Sequence, residues 1–163
     1  GSPRQDEDIH QLQIVREDCD KYNMPLVVWS YPRGAAIEGK GGRDSLYAVD
    51  YAARVALEMG ADIVKLNIPK QGPKDSEQPG DYVGIDYDYG EGARRVVESA
   101  GRCLVLFSGG SKLGDEDLMT KARTAMESGA TGLIFGRNMW QRPFDDALAM
   151  TRSVQDMLQG HGA

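Results

Sequence analysis

The chain has 163 residues, 40% of them hydrophobic and 27% charged, with a formal net charge of −6. That length and balance describe one globular domain with enough chain to bury a core. The acidic charge argues against a nucleic-acid-binding face, and the apolar runs are too short to cross a membrane.

No signal-peptide pattern opens the sequence, and the initial Gly-Ser reads as a cloning remnant, so residues 1–7 are set apart as a tag or disordered end. Ile9, Leu12, Val15, Cys19 and Tyr22 then recur at helical spacing. The first short apolar run, "PLVVWS" at 25–30, reads as a buried strand and ends in the aromatic, Pro-Gly-containing stretch "WSYPRG". After Asp44, a residue suited to capping a helix start, Leu46, Val49, Ala52, Ala53, Ala56 and Met59 mark a second helix. "ADIVKLNI" at 61–68 is the second strand, and the polar, Pro/Gly-rich stretch 69–85 after it has the length of an active-site loop. A helix carrying Ala93, Val96, Val97 and Ala100 leads to a third strand, "CLVLFS" at 103–108. Leu118, Met119, Ala122, Ala125 and Met126 mark the next helix, and "TGLIFG" at 131–136 the fourth strand. Pro143 suits the first turn of a last helix whose inner face is expected to carry Phe144, Ala147, Leu148, Thr151, Val154 and Leu158. Gly60, Gly101, Gly129 and Gly160 fall where helices end, and residues 161–163 form a tail.

A β-α unit repeated in this way specifies an α/β fold with a parallel sheet. Four strands preceded by an orphan helix amount to half of a (β/α)8 barrel, over residues 8–160. A chain opening on a crossover helix reads as cut from something larger. Cys19 and Cys103 lack metal spacing and read as reduced thiols of a cytoplasmic protein, while His10 and His161 read as surface residues.

Alternation along a strand assigns its faces. In the second strand Val64, Leu66 and Ile68 form the wholly apolar set that must meet the helices, which turns Lys65 and Asn67 to the barrel interior. Burial disfavours a lysine's charged form and leaves an amine able to attack a carbonyl, although an ion-paired structural lysine fits the local pattern too. The same alternation aligns Val27, Trp29 and Tyr31, placing a phenol able to exchange a proton at the mouth, with Trp29 as a wall and Arg33 at the rim. "SGGSK" at 108–112 and "GRN" at 136–138 follow consecutive strands, where glycines let main-chain amides approach an oxyanion. The first is no Walker loop, and no G-x-G-x-x-G follows a strand, which argues against a nicotinamide enzyme.

"WSYPRG", "GADIVK", "LFSGGSK" and "IFGRNMWQ", in that order, resemble the archaeal-type (DhnA-type) class I fructose-bisphosphate aldolases over nearly the whole chain. The resemblance implies a metal-free, cofactor-free lyase on a (β/α)8 barrel. It implies Lys65 as the Schiff-base lysine toward dihydroxyacetone phosphate or fructose 1,6-bisphosphate, and Tyr31 as proton donor. Trp29, Pro32, Arg33 and Asn67 would contact substrate, and Ser108, Gly109, Gly110, Gly136 and Arg137 would hold a phosphate. The family's first strands, which carry an aspartate and further substrate contacts, have no counterpart here, so carbon–carbon cleavage is expected to be impaired. A related aldolase, synthase or thiolase on another phosphorylated carbonyl compound stays open, as does a non-catalytic phosphate-binding or assembly fragment. The expected partner besides substrate is a second copy or an N-terminal half barrel, because four parallel strands leave open edges.

Overall fold

A computed structural model of the chain describes residues 2–72, 74–110 and 113–161. Ser111 and Lys112 of the "SGGSK" stretch, the end of the tail at 162–163 and the His161 side chain lie outside the described residues.

The four apolar runs form β1 (Val27–Trp29), β2 (Ile63–Leu66), β3 (Leu104–Ser108) and β4 (Gly132–Ile134). They pair in parallel in the spatial order β1-β2-β3-β4, with Trp29 opposite Lys65 and Lys65 opposite Leu106. Each strand is linked to the next by a segment carrying a crossover helix: α3 (Leu46–Glu58), α4 (Tyr89–Ser99) and α5 (Asp115–Glu127). α1 (Gln5–Lys21) precedes β1 and α7 (Phe144–His161) closes the chain. Two short helices, α2 (Ala35–Glu38) and α6 (Arg137–Trp140), sit in the loops after β1 and β4. This is the α/β arrangement of half a (β/α)8 barrel.

The helices cover one face of the sheet. Val64, Leu66, Val105 and Phe107 point into a core shared with Leu46, Val49 and Ala53 of α3 and Ala93 and Val96 of α4. The alternate residues occupy the other face, where Val27, Trp29 and Leu104 are exposed and Lys65 is half-buried. In a closed barrel that face is the interior.

Several local expectations are corrected. α1 begins at Gln5, inside the stretch set apart as a tag, and α7 runs through Gly160 to His161, so Gly160 does not end it. Gly60, Gly101 and Gly129 do take the positive φ expected of helix ends. Val15 on α1 and Tyr22 just after it are exposed, and no residue of the helix is buried. Polar bonds attach it instead: the Arg16 guanidinium donates to the Gly60 carbonyl and to Asp62, each at 2.9 Å. Asp62 also accepts the Leu26 N–H at 2.7 Å, and these two donors hold its carboxyl below the usual range. The stabilisation from that lowered pKa is present at neutral pH and lost as pH falls through it. On α7 the inward residues are Met150 and Val154, while Phe144, Leu148 and Thr151 are exposed.

The cap of α3 is Ser45 rather than Asp44: the buried Ser45 hydroxyl accepts the Ala48 N–H at 3.2 Å. Ser45→Ala is expected to cost about 1 kcal/mol, read as a lower urea midpoint at unchanged slope. The long connection after β2 is pinned to α3 by its own polar residues. Gln78 accepts the Tyr47 N–H at 3.0 Å and Tyr82 donates its hydroxyl to the buried Asp50 at 2.6 Å. Among the described residues of the stretch only Lys70 borders the cleft described next, so most of it is a structural strap rather than an active-site loop.

Candidate active site

The C-terminal ends of all four strands open into one cleft of about 580 Å³. Lys65 enters it from β2, flanked by the end of β1. Its Nζ lies 4.3 Å from the Trp29 ring centroid and 5.4 Å from that of Tyr31, within reach of cation–π attraction. Arg33 stacks in turn on Tyr31 at 5.3 Å. Lys65 is half-buried.

Asn67, on the same face of the chain as Lys65, forms the middle of a hydrogen-bond chain. The Ser108 hydroxyl donates to Asn67 Oδ1 at 2.6 Å, and Asn67 Nδ2 donates to Asp44 at 3.2 Å. The Asp44 carbonyl also accepts the Lys70 N–H at 2.8 Å. Thus the Asp44 side chain, expected to cap a helix, orients a cleft amide. Ser108, expected to donate to a phosphate, has its proton committed to Asn67.

The two glycine loops meet as the sequence suggested. Gly109, Gly110, Gly136 and Arg137 all line the cleft, and Arg137 donates to the Gly110 carbonyl at 3.0 Å. The Gly109 N–H, expected as an anion donor, is taken by the Ile134 carbonyl at 3.1 Å. Gly109 serves instead by its size, because a Cβ there would lie 2.7 Å from the Phe135 ring. Pro32 is not brought into this cleft; with Trp29 it lines a smaller hollow of about 280 Å³ between α1, β1 and α3. The other expected residues, Tyr31, Arg33, Lys65, Asn67 and Ser108, do border the main cleft.

Charge distinguishes the cleft from the rest of the molecule. Among the described residues six cations border it (Arg33, Arg43, Lys65, Lys70, Lys121 and Arg137), against the single carboxylate of Asp44. Among the described residues none of the six has a carboxylate within ion-pair distance. Burial and the like charge of Lys70 both lower the Lys121 pKa, and its Nζ rests 5.7 Å from the Tyr89 ring. Such a concentration of unpaired positive charge in a chain of net charge −6 suits an anionic ligand. Among the described residues no group of three or more His, Cys, Asp or Glu is placed to hold a metal ion.

A family model for DeoC/LacD family aldolases matches residues 1–142. The chain belongs to this aldolase family. It is 35% identical over 151 residues to the class 1 fructose-bisphosphate aldolase of Thermoproteus tenax, covering 92% of this chain and 49% of that one. A Streptomyces griseus relative, a 2-amino-4,5-dihydroxy-6-oxo-7-(phosphonooxy)heptanoate synthase, is 31% identical over 163 residues, or 99% of this chain and 51% of its own. In three dimensions the aldolase-family chain superposes on an archaeal fructose-1,6-bisphosphate aldolase with a TM-score of 0.77 and 33% identity, over 96% of this chain and 54% of the other. That structure holds its catalytic lysine covalently bound to the carbinolamine intermediate of the substrate. This DeoC/LacD-family chain therefore spans about half the length of the relatives it matches.

Sequence reasoning missed Arg43, Asp44 in its cleft role, Lys70, Tyr89, Lys121 and Trp140 of this aldolase-family site. Arg43 and Lys70 carried a signal, since each lies in the loop that follows a strand, where a parallel fold collects its ligand groups. Lys121 did not, because it lies within α5 and only tertiary packing turns it toward Tyr89.

Proposed function

We propose that the protein is a Schiff-base-forming class I aldolase acting on a phosphorylated ketose, with fructose 1,6-bisphosphate and dihydroxyacetone phosphate as the substrate pair. The observation that carries this reading is Lys65 at the mouth of a parallel sheet, between Trp29 and Tyr31, in a cleft lined by unpaired cations. In the cleavage direction the neutral Lys65 amine adds to the ketose carbonyl carbon, and loss of water gives an imine whose protonated form withdraws electrons. Breaking the adjacent carbon–carbon bond sends its electron pair into that iminium, forming an enamine. The neighbouring hydroxyl passes its proton to solvent as it becomes the aldehyde carbonyl, and solvent returns one to Tyr31 after its donation. Reprotonation of the enamine carbon, with Tyr31 as donor, and hydrolysis of the imine then release the ketone phosphate. Arg137 and the Gly110 and Gly136 amides take the phosphate, while Arg33 and Asn67 contact the sugar chain.

The Streptomyces relative favours a second reading, a synthase joining a ketone phosphate to a different aldehyde. Borohydride reduction with dihydroxyacetone phosphate tests the shared core. An aldolase lysine becomes a secondary amine carrying the substrate mass, whereas a purely phosphate-binding fragment stays unmodified. Cleavage assays with a panel of ketose phosphates then separate the two lyase readings.

The exposed Val27, Trp29 and Leu104 and the outer edges of β1 and β4 also make self-association part of this proposal. Two copies related by a twofold axis supply eight strands, and ring closure removes both edges at once. Sedimentation equilibrium is expected to give a dimer; a monomer persisting at high micromolar concentration overturns the idea.

A further inference from the structure

We infer that Asn138 is a positioning residue, whose buried carboxamide ties the loop after β3 to α6 and so presents the Gly110 amide to the substrate's phosphate. The inference rests on the phosphate reading above and adds a residue that touches no substrate. Asn138 is 1% exposed. Its Nδ2 donates to the Gly109 carbonyl at 3.1 Å, and its Oδ1 accepts the Leu113 N–H at 2.8 Å. One side chain therefore bonds the main chain of both Gly109 and Leu113. The asparagine is itself anchored, since its main-chain carbonyl accepts the Arg142 Nε at 2.6 Å.

The consequence for the loop follows from peptide planarity. In a trans peptide the N–H points opposite to the preceding C=O, so fixing the Gly109 carbonyl on Asn138 fixes the direction of the Gly110 N–H. That N–H has no hydrogen-bond partner among the described residues, and Gly110 lines the cleft. The neighbouring Arg137 holds the Gly110 carbonyl from the same helix, so two consecutive residues of α6 set two consecutive carbonyls of the loop. The approach also dictates the glycine: a Cβ at residue 109 would lie 2.8 Å from Asn138 Nδ2. Asparagine suits the position because it donates and accepts at once. Aspartate keeps the acceptor for Leu113 and loses the donor for Gly109.

The test compares wild type, Asn138→Asp and Asn138→Ala in borohydride trapping across concentrations of dihydroxyacetone phosphate and of unphosphorylated dihydroxyacetone. Both variants are expected to need roughly tenfold more of the phosphorylated ketone for half-maximal trapping, the effect of losing one well-oriented hydrogen bond. The requirement for dihydroxyacetone and the maximal extent of trapping should not move. An equal loss for both ketones makes Asn138 merely structural and overturns the inference, as does no loss for either. A wild type that captures both ketones at the same concentration removes the phosphate reading itself, and the clamp falls with it. Sulfate titration followed by calorimetry decides the matter independently of lysine chemistry. Asn138→Asp should bind sulfate about tenfold more weakly than wild type, and equal affinity overturns the clamp even if Asn138→Ala does not fold.

Discussion

Lys65→Met is expected to abolish covalent capture of dihydroxyacetone phosphate under borohydride, while wild type carries the adduct on Lys65 alone. Among the described residues Lys65 is the only lysine placed on a strand, and it lies between two aromatic rings at the cleft mouth. Lys70 and Lys121 border the same cleft and act as internal controls, because an unselective reaction with amines labels them too. Methionine fills a similar volume to the lysine stem, and Lys65 stands on the uncovered face of the sheet, so thermal stability should change by less than about 1.5 kcal/mol. Peptide mapping reads the result. An adduct that survives in Lys65→Met, or one found on Lys70 or Lys121 in wild type, overturns the assignment of the nucleophile.

Arg137→Ala is expected to weaken phosphate binding by about tenfold, corresponding to the lower part of the 1.5–3 kcal/mol typical of a hydrogen bond to a charged group. The lower part applies because Arg137 is exposed, and water competes for its guanidinium. The substitution also frees the Gly110 carbonyl that Arg137 holds, so the loop loses an anchor along with the charge. Titration of phosphate into both proteins at two salt concentrations separates these effects. The charge contribution shrinks at high salt and the anchoring contribution does not. Equal affinities for the two proteins would place the anion elsewhere in the cleft, with Arg33, Arg43, Lys70 and Lys121 as the next cations to test.

What was legible in the sequence was what local chemistry specifies. The four apolar runs became the four strands, with no end differing by more than two residues. The inward placement of Lys65 and Asn67 followed from period-two alternation, because a strand with one wholly apolar face has only one way to meet its helices. The amphipathic faces of α4 and α5 were readable for the same reason: Ala93, Val96, Leu118, Ala122 and Ala125 are all buried. The end helices were read less well. α1 and α7 have fewer neighbours, so their apolar residues are not all needed for packing, and Val15, Tyr22, Phe144 and Leu148 lie exposed.

The tertiary structure alone decided the polar wiring of the site. Whether Asp44 or Ser45 caps α3 depends on where Asn67 arrives from β2, and Asn67 Nδ2 reaches Asp44, leaving the cap to Ser45. Whether a glycine amide is a free donor depends on the strand beside it, and Ile134 takes that of Gly109. Lys121 joins the cleft because α5 turns it toward Tyr89, and Asn138 grips Gly109 because α6 folds back over the loop after β3. Periodicity records which face of an element is buried, since burial acts on every turn or every second residue. A hydrogen bond between residues 29 apart, such as that from Asn138 to Gly109, leaves no periodic trace, and its partners meet only when the sheet brings the strand ends together.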